Sequence, residues 1–283
     1  FDALKKAKTY RDSINLMQTV YIDRATNGFK DFIKKWSITP ESMIKAIAKY
    51  PKFYNSIKQN TFKVKNSDST IKEIVENFRA IYPGFKDKRV CFFIGNMNVG
   101  GTVSDNFLLI GTEIMAATQF NDLSELNPSF KEMFKDNVNV VQEIKKLVAH
   151  EYVHTQQTDQ YDEEAIICPL LYDTLQEGIA DFIGELISDV KLNSEMYSYG
   201  DKHEAELWED FKNELCNTVS DNWLFNGEIK DKPSDLGYYI GYKIAEEYMK
   251  NAENKDEAII EMIEMNDPIR FLQKSNYDQK KKQ

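Results

Sequence analysis

Two histidines four residues apart, with a glutamate beside the first, stand in the segment His150-Glu151-Tyr152-Val153-His154. Positions i and i+4 of a helix share one face, so these two imidazoles can grip a single metal ion. Glu151, one step round the helix, can reach a water on that ion and act as general base. The chain has only three histidines, and two of them are here. The plainest alternative is a surface helix carrying two incidental histidines.

The flanking residues argue against that alternative. Val140, Val141, Ile144, Leu147, Val148 and Tyr152 recur at helical spacing and predict a helix over residues 138–157. On a wheel of that helix Glu151 falls inside the apolar arc, and His150 and His154 lie at its edge. A carboxylate buried beside two imidazoles needs compensation, which a cation supplies.

A catalytic zinc takes three protein ligands and keeps a fourth position open. The metzincin continuation needs Gly at 157 and His at 160, and both positions are Gln. His203 sits in an acidic stretch, His203-Glu204-Ala205-Glu206, without a matching motif. Glu177 remains, in a second amphipathic helix whose apolar stripe is Ile179, Phe182, Ile183, Leu186, Ile187 and Val190. Thr174-Leu175-Gln176-Glu177 also fits a capping box, in which Glu177 would only bond back to the Thr174 amide. Asp181 decides between the two readings. One turn beyond Glu177, it can accept the free ring N–H of a ligating histidine, whereas a capping box gives it no purpose in an apolar helix. The expected site is one zinc per chain on His150, His154 and Glu177, with Asp181 behind them and Glu151 as base.

His150-Glu151-Tyr152-Val153-His154 followed by Glu177-Gly178-Ile179-Ala180-Asp181 resembles the gluzincin group of zinc metallopeptidases. In finer detail the chain is similar to a bacterial family of predicted zinc-dependent proteases related to a gliding-motility lipoprotein. That likeness rests on Ala149 before the motif, Gln156-Gln157 after it, the Glu-Gly-x-Ala-Asp run, and Gly237-Tyr238-Tyr239-Ile240-Gly241-Tyr242. It spans roughly residues 90–249; residues 1–80 match only as a helical region. The thermolysin-type Asn-Ala pair is absent. Gly95-Asn96-Met97-Asn98 lacks the acidic residue of the aminopeptidase substrate motif, so amino-terminal exopeptidase activity is not expected. The resemblance implies hydrolysis of a peptide or protein substrate by a secreted or lipid-anchored envelope protein. It also implies a Tyr or His from the C-terminal part as oxyanion donor. Tyr238, Tyr239, Tyr242 and His203 are available, and Tyr239 and Tyr242, one turn apart about Gly241, are the expected donors. By the same analogy, residues 107–112 are the candidate edge strand that pairs with an extended substrate, against the alternative of an ordinary internal strand.

Two other functions compete. A catalytically silent zinc-binding envelope protein that binds a protein partner would have no need of Glu151, and structural zinc sites are usually closed by four protein ligands. A metal-free helical interaction module would leave both histidines and Glu177 without purpose.

The elements that must position these residues read as α+β: a mostly helical body with a small, mainly antiparallel sheet. The chain of 283 residues is read as a single metallopeptidase-like domain, with a helical region 1–84, a small sheet within 85–120 and a helical zinc-binding part 121–283. Thr39-Pro40 opens a helix through Tyr50. Ile71, Ile74, Val75, Phe78 and Ile81 predict another, ended by Pro83-Gly84. Residues 89–94 and 106–112 read as strands, and the glycine-bearing stretch 95–105 as a mobile hairpin loop, since it lacks the Gly-Lys-Ser/Thr ending of a phosphate loop.

A net charge of −10 and a pI near 5.0 argue against nucleic acid or an anionic membrane surface as partner. Lys280-Lys281-Lys282 is too short a run to reverse that. No apolar stretch reaches the roughly 18 residues of a membrane span. Cys91, Cys168 and Cys216 cannot all pair within the chain. Three buried thiols are the default, and Cys168–Cys216 is the pair if one forms. The chain opens at Phe1 rather than Met, so removal of a leader or other preceding residues is expected, although no signal peptide is visible.

Overall fold

The structure, a computed structural model, describes residues 2–157, 167–191, 195–227 and 232–280. Lys281 and Lys282 of the basic tail lie outside them. The chain forms two compact units, residues 1–69 with 88–148 and residues 70–87 with 149–283.

In the first unit the chain begins with helices α1 (Tyr10–Val20), α2 (Asn27–Lys35), α3 (Pro40–Lys49) and α4 (Pro51–Thr61). Their starts follow from local chemistry. Thr9, Thr26 and Thr39 each accept a backbone N–H of the first turn, and Pro40 and Pro51 stand where a missing N–H costs nothing. Helix α5 (Asp68–Ile81) starts here and continues into the second unit. Then come strands β1 (Arg89–Phe93), β2 (Gly101–Val103) and β3 (Phe107–Gly111), followed by α6 (Thr112–Met115) and α7 (Pro128–Phe134). Phe29, Phe32, Phe93, Phe107 and Leu109 form one apolar cluster, and Tyr50, Phe53, Tyr54, Ile57 and Phe134 another.

The sheet differs from expectation in two ways. Among the described residues its order is β1-β3-β2, with β1 and β3 parallel and β2 and β3 antiparallel, so it is mixed rather than mainly antiparallel. Residues 107–111, the candidate edge strand, occupy the centre. Leu108, Leu109 and Ile110 are all fully buried, and both edges of β3 are already hydrogen-bonded, so it has no free edge to offer a substrate. An unbroken apolar run without polar alternation is the pattern of a strand covered on both faces. The stretch 95–105 is likewise more ordered than a hairpin loop. Its residues 101–103 are β2, and Glu113 accepts the Gly95 amide over 2.7 Å and the Met97 amide over 3.3 Å.

Helix α8 (Val140–His154) belongs to the first unit as far as Val148 and to the second from Ala149. The second unit continues with α9 (Pro169–Ser188), α10 (Glu195–Glu214), α11 (Leu236–Asn251), α12 (Lys255–Ile263), α13 (Pro268–Ser275) and α14 (Tyr277–Lys280). Helix α9 is its centre. Leu171, Leu175, Ile179, Ala180, Ile183 and Ile187 are fully buried. The orphan amides at its start are satisfied by the carbonyls of Leu215 and Asn217, just past the end of α10. Cys168 and Cys216 close the same junction as a disulfide, so the default of three thiols is corrected; Cys91 remains free. Among the described residues no helix is long and apolar enough to cross a membrane. The fold is α+β, mostly helical with a small sheet.

Candidate metal centre

Two helix contacts without side chains set the site. A Cβ on Gly178 of α9 would lie 2.1 Å from the Gly241 carbonyl carbon of α11, and one on Gly241 would lie 2.0 Å from the Thr174 oxygen. The two backbones therefore touch, which only glycine permits. Further along α9, a Cβ on Gly184 would sit 3.3 Å from the His150 nitrogen of α8. Helix α9 thus runs close beside both α8 and α11, and its residues Glu177 and Asp181 meet the histidines.

The meeting is tight. His150 Nε2 and His154 Nε2 are 2.9 Å apart, and Glu177 Oε2 lies 3.3 Å from the first and 3.2 Å from the second. Bonds of about 2.0–2.1 Å to a tetrahedral zinc would separate neighbouring ligand atoms by roughly 3.3 Å. The three atoms need little adjustment to reach that spacing. Among the described residues they form the one group of three or more His, Cys, Asp or Glu able to hold a metal ion. The side chains keep 16, 21 and 15% exposure for His150, His154 and Glu177, so the group is largely but not wholly buried.

The hydrogen bonds behind the ligands show which atoms carry protons. His150 Nδ1 lies 2.8 Å from Asp181 Oδ1, an acceptor, so Nδ1 donates. His154 Nδ1 lies 2.6 Å from Gln157 Oε1, and the Gln157 amide nitrogen donates to the Gln176 carbonyl over 2.9 Å. The carbonyl can only accept, which fixes the amide orientation and makes His154 Nδ1 a donor too. In neutral imidazoles both Nε2 atoms then carry lone pairs, and these converge with a carboxylate oxygen. Three lone pairs facing one another require a cation, so the residues fit zinc.

Without a metal, protons fill that role. Burial disfavours charge on both imidazoles, but Asp181 and Glu177 push His150 well up, and Glu177 raises His154. Glu177 is held well below the usual carboxylate range, because both histidines outweigh the effect of its burial.

The capping-box reading of Glu177 fails on position. Helix α9 starts at Pro169, so Thr174 lies inside it and cannot be its N-cap. Asp181 stands behind His150 as expected. Glu151 is buried, and its charge raises the pKa of His154. Tyr239 and Tyr242 are not brought to the ligands. The Tyr239 hydroxyl donates to Asp201 over 3.1 Å, and that of Tyr242 to Glu185 over 2.9 Å. Tyr238 instead lies against the site. Its ring stacks on that of His150 with centroids 6.1 Å apart. Burial, then the carboxylates of Glu177, Asp181 and Asp235, keep its phenol protonated, with a hydrogen bond to Glu177 among the causes. The physical reason is position around and along α11. Tyr238 lies one turn before Gly241, which meets α9; Tyr239 is turned about 100° away from Tyr238, and Tyr242, on the same face as Tyr238, stands one turn further along, beside Glu185. His203 is remote in role: its Nδ1 engages the Tyr199 carbonyl at a kink in α10.

Two residues of the site were missed by the sequence reading. Gln157 had a signal, since i, i+3 spacing from His154 puts it within reach. Tyr197, whose hydroxyl donates to Asp181 Oδ2 over 2.6 Å, had none in its neighbours.

The model of a family described as predicted Zn-dependent protease (DUF2268) matches residues 114–267. That is more than half of the chain, and it includes every residue of the site. The chain belongs to this family. No curated protein and no solved structure matches it.

Proposed function

We propose that this chain is a zinc-dependent peptidase with a gluzincin ligand set, binding one zinc through His150, His154 and Glu177. The observation that carries the reading is the convergence of three lone-pair atoms within 4.8 Å of one another, with both imidazole Nδ1 atoms already spent as donors. A zinc bound there supplies a Lewis acid that lowers the pKa of water toward neutrality and polarises a carbonyl.

The chain's own residues supply the rest. Glu151 accepts the proton of the attacking water and returns it to the departing amine. Tyr238 keeps its proton at neutral pH and donates a hydrogen bond to the oxygen that becomes negative in the tetrahedral transition state. Asp181 and Gln157 hold the two imidazoles in the Nδ1–H tautomer, and Tyr197 in turn holds Asp181. The silent alternative is disfavoured by Glu151, a buried carboxylate that serves no ligand role.

An extracytoplasmic location, secreted or lipid-anchored in a bacterial envelope, belongs to the same proposal. It is supported by the resemblance of the motifs and by the Cys168–Cys216 disulfide, a bond that persists in oxidising compartments. The test is turnover of an unstructured protein such as casein by zinc-loaded protein, by chelator-stripped protein, and by stripped protein given zinc again. Loss and recovery with the metal support the reading; hydrolysis indifferent to zinc contradicts it.

A further inference from the structure

Phe225 is 70% exposed, yet it is held firmly in place. Trp223 and Leu224 immediately before it are buried. Immediately after it, Asn226 and Asp235 pair reciprocally, with the Asp235 amide donating to Asn226 Oδ1 over 2.7 Å and the Asn226 amide to Asp235 Oδ1 over 3.1 Å. Its backbone lies in the left-handed region, φ 55°, where a bulky side chain is strained. The ring meets Tyr238 edge-on, with centroids 6.4 Å apart and planes at 86°. Tyr238 stacks on His150 on its other side. An exposed aromatic ring, fixed at both flanks in a strained conformation two ring contacts from a metal ligand, has no role in the core of the unit.

We infer that Phe225 is a specificity-determining residue, forming an apolar wall for a substrate side chain next to the scissile bond and so favouring peptides with an aromatic or large aliphatic residue there. The inference rests on the peptidase reading of the same site. The reach is right. With about 3.3–3.6 Å per residue of extended chain, side chains one or two residues from the reacting carbonyl can touch the ring. The chemistry is right as well. A second aromatic ring packed against Phe225 forms an edge-to-face or offset pair and loses water-exposed apolar surface. Strain kept at such a position is a cost that folding alone would remove.

The test uses two zinc-directed probes on the zinc-loaded protein, glycine hydroxamate and phenylalanine hydroxamate, titrated calorimetrically. Wild type is expected to bind the phenylalanine probe about tenfold more tightly. Phe225→Gly removes the ring and relaxes the left-handed backbone, so it should fold at least as stably as wild type. It should keep its zinc and bind both probes within about threefold of each other. Phe225→Tyr should restore the preference. If wild type shows no preference, or if Phe225→Gly retains it in full while glycine hydroxamate still binds, the inference is overturned and the zinc site stands. If neither probe binds zinc-loaded wild type, the site reading itself fails and the inference falls with it.

Discussion

Gln157 Oε1 sits 2.6 Å from Nδ1 of His154, in the position that Asp181 occupies at 2.8 Å from Nδ1 of His150. One imidazole of the candidate site is therefore backed by a neutral amide and the other by a carboxylate, which makes His150 the more basic of the two. Gln157→Leu should weaken zinc binding by about 10- to 100-fold, as should Asp181→Ala, measured by competition with a chelator of known affinity. Gln157→Glu keeps the acceptor but loses the bond to the Gln176 carbonyl, so it should bind more tightly than Gln157→Leu. Wild-type affinity in Gln157→Leu would make the contact incidental.

Tyr238→Phe should reduce kcat by roughly 10²- to 10³-fold with zinc content unchanged and KM little altered, because the hydrogen bond strengthens only as charge develops. Tyr239→Phe and Tyr242→Phe, whose hydroxyls serve Asp201 and Glu185, should instead cost about 1 kcal/mol of stability each and leave kcat within a few-fold. A kcat loss in either of these with Tyr238→Phe active would return the donor role to them.

Glu113 is fully buried, and its pKa is pushed by burial from the ordinary 4.5 to about 7, against the hydrogen bonds it accepts from Gly95 and Met97. The folded chain holds this proton over a range where the unfolded chain has lost it. Its contribution is therefore complete below pH 4.5 and disappears as pH rises through about 7. The total is on the order of 3 kcal/mol. Glu113→Gln, a mimic of the protonated acid, should flatten the fall in Tm between pH 5 and 8 relative to wild type. Parallel Tm curves for the two proteins would mean that Glu113 does not titrate there.

The Cys168–Cys216 bond closes a loop with a sequence separation of 48, for which chain entropy gives about 4 kcal/mol of stabilisation. Reductant should lower the Tm of wild type and leave that of Cys168→Ser/Cys216→Ser unchanged. Equal sensitivity in both proteins would show that the bond contributes nothing.

The cluster that could hold a metal was legible in the sequence because each of its parts is local. His150 and His154 are fixed by helical spacing, and Glu177 with Asp181 by one turn of α9. What was not legible depends on phase between helices distant in sequence. The residues of α11 that reach α9 are set by the Gly178–Gly241 contact, and a sequence that offers Tyr238, Tyr239 and Tyr242 within two turns does not say which of them that contact brings to the site. The strand at residues 107–111 was recognisable from its apolar run, but its central place depends on β1 and β2 flanking it, and their order is a property of the sheet. Phe225 carries no sequence signal at all. Its backbone conformation and its ring contact with Tyr238 exist only once α11 is in place.

Glu151→Gln tests the central claim most directly, with zinc content and peptide hydrolysis measured on the same preparation. The carboxamide keeps the shape of the side chain but cannot take a proton from water, and Glu151 is not a ligand. Zinc should stay near one per chain while hydrolysis falls by about 10²- to 10⁴-fold. Hydrolysis at the wild-type rate in zinc-loaded Glu151→Gln would contradict the account.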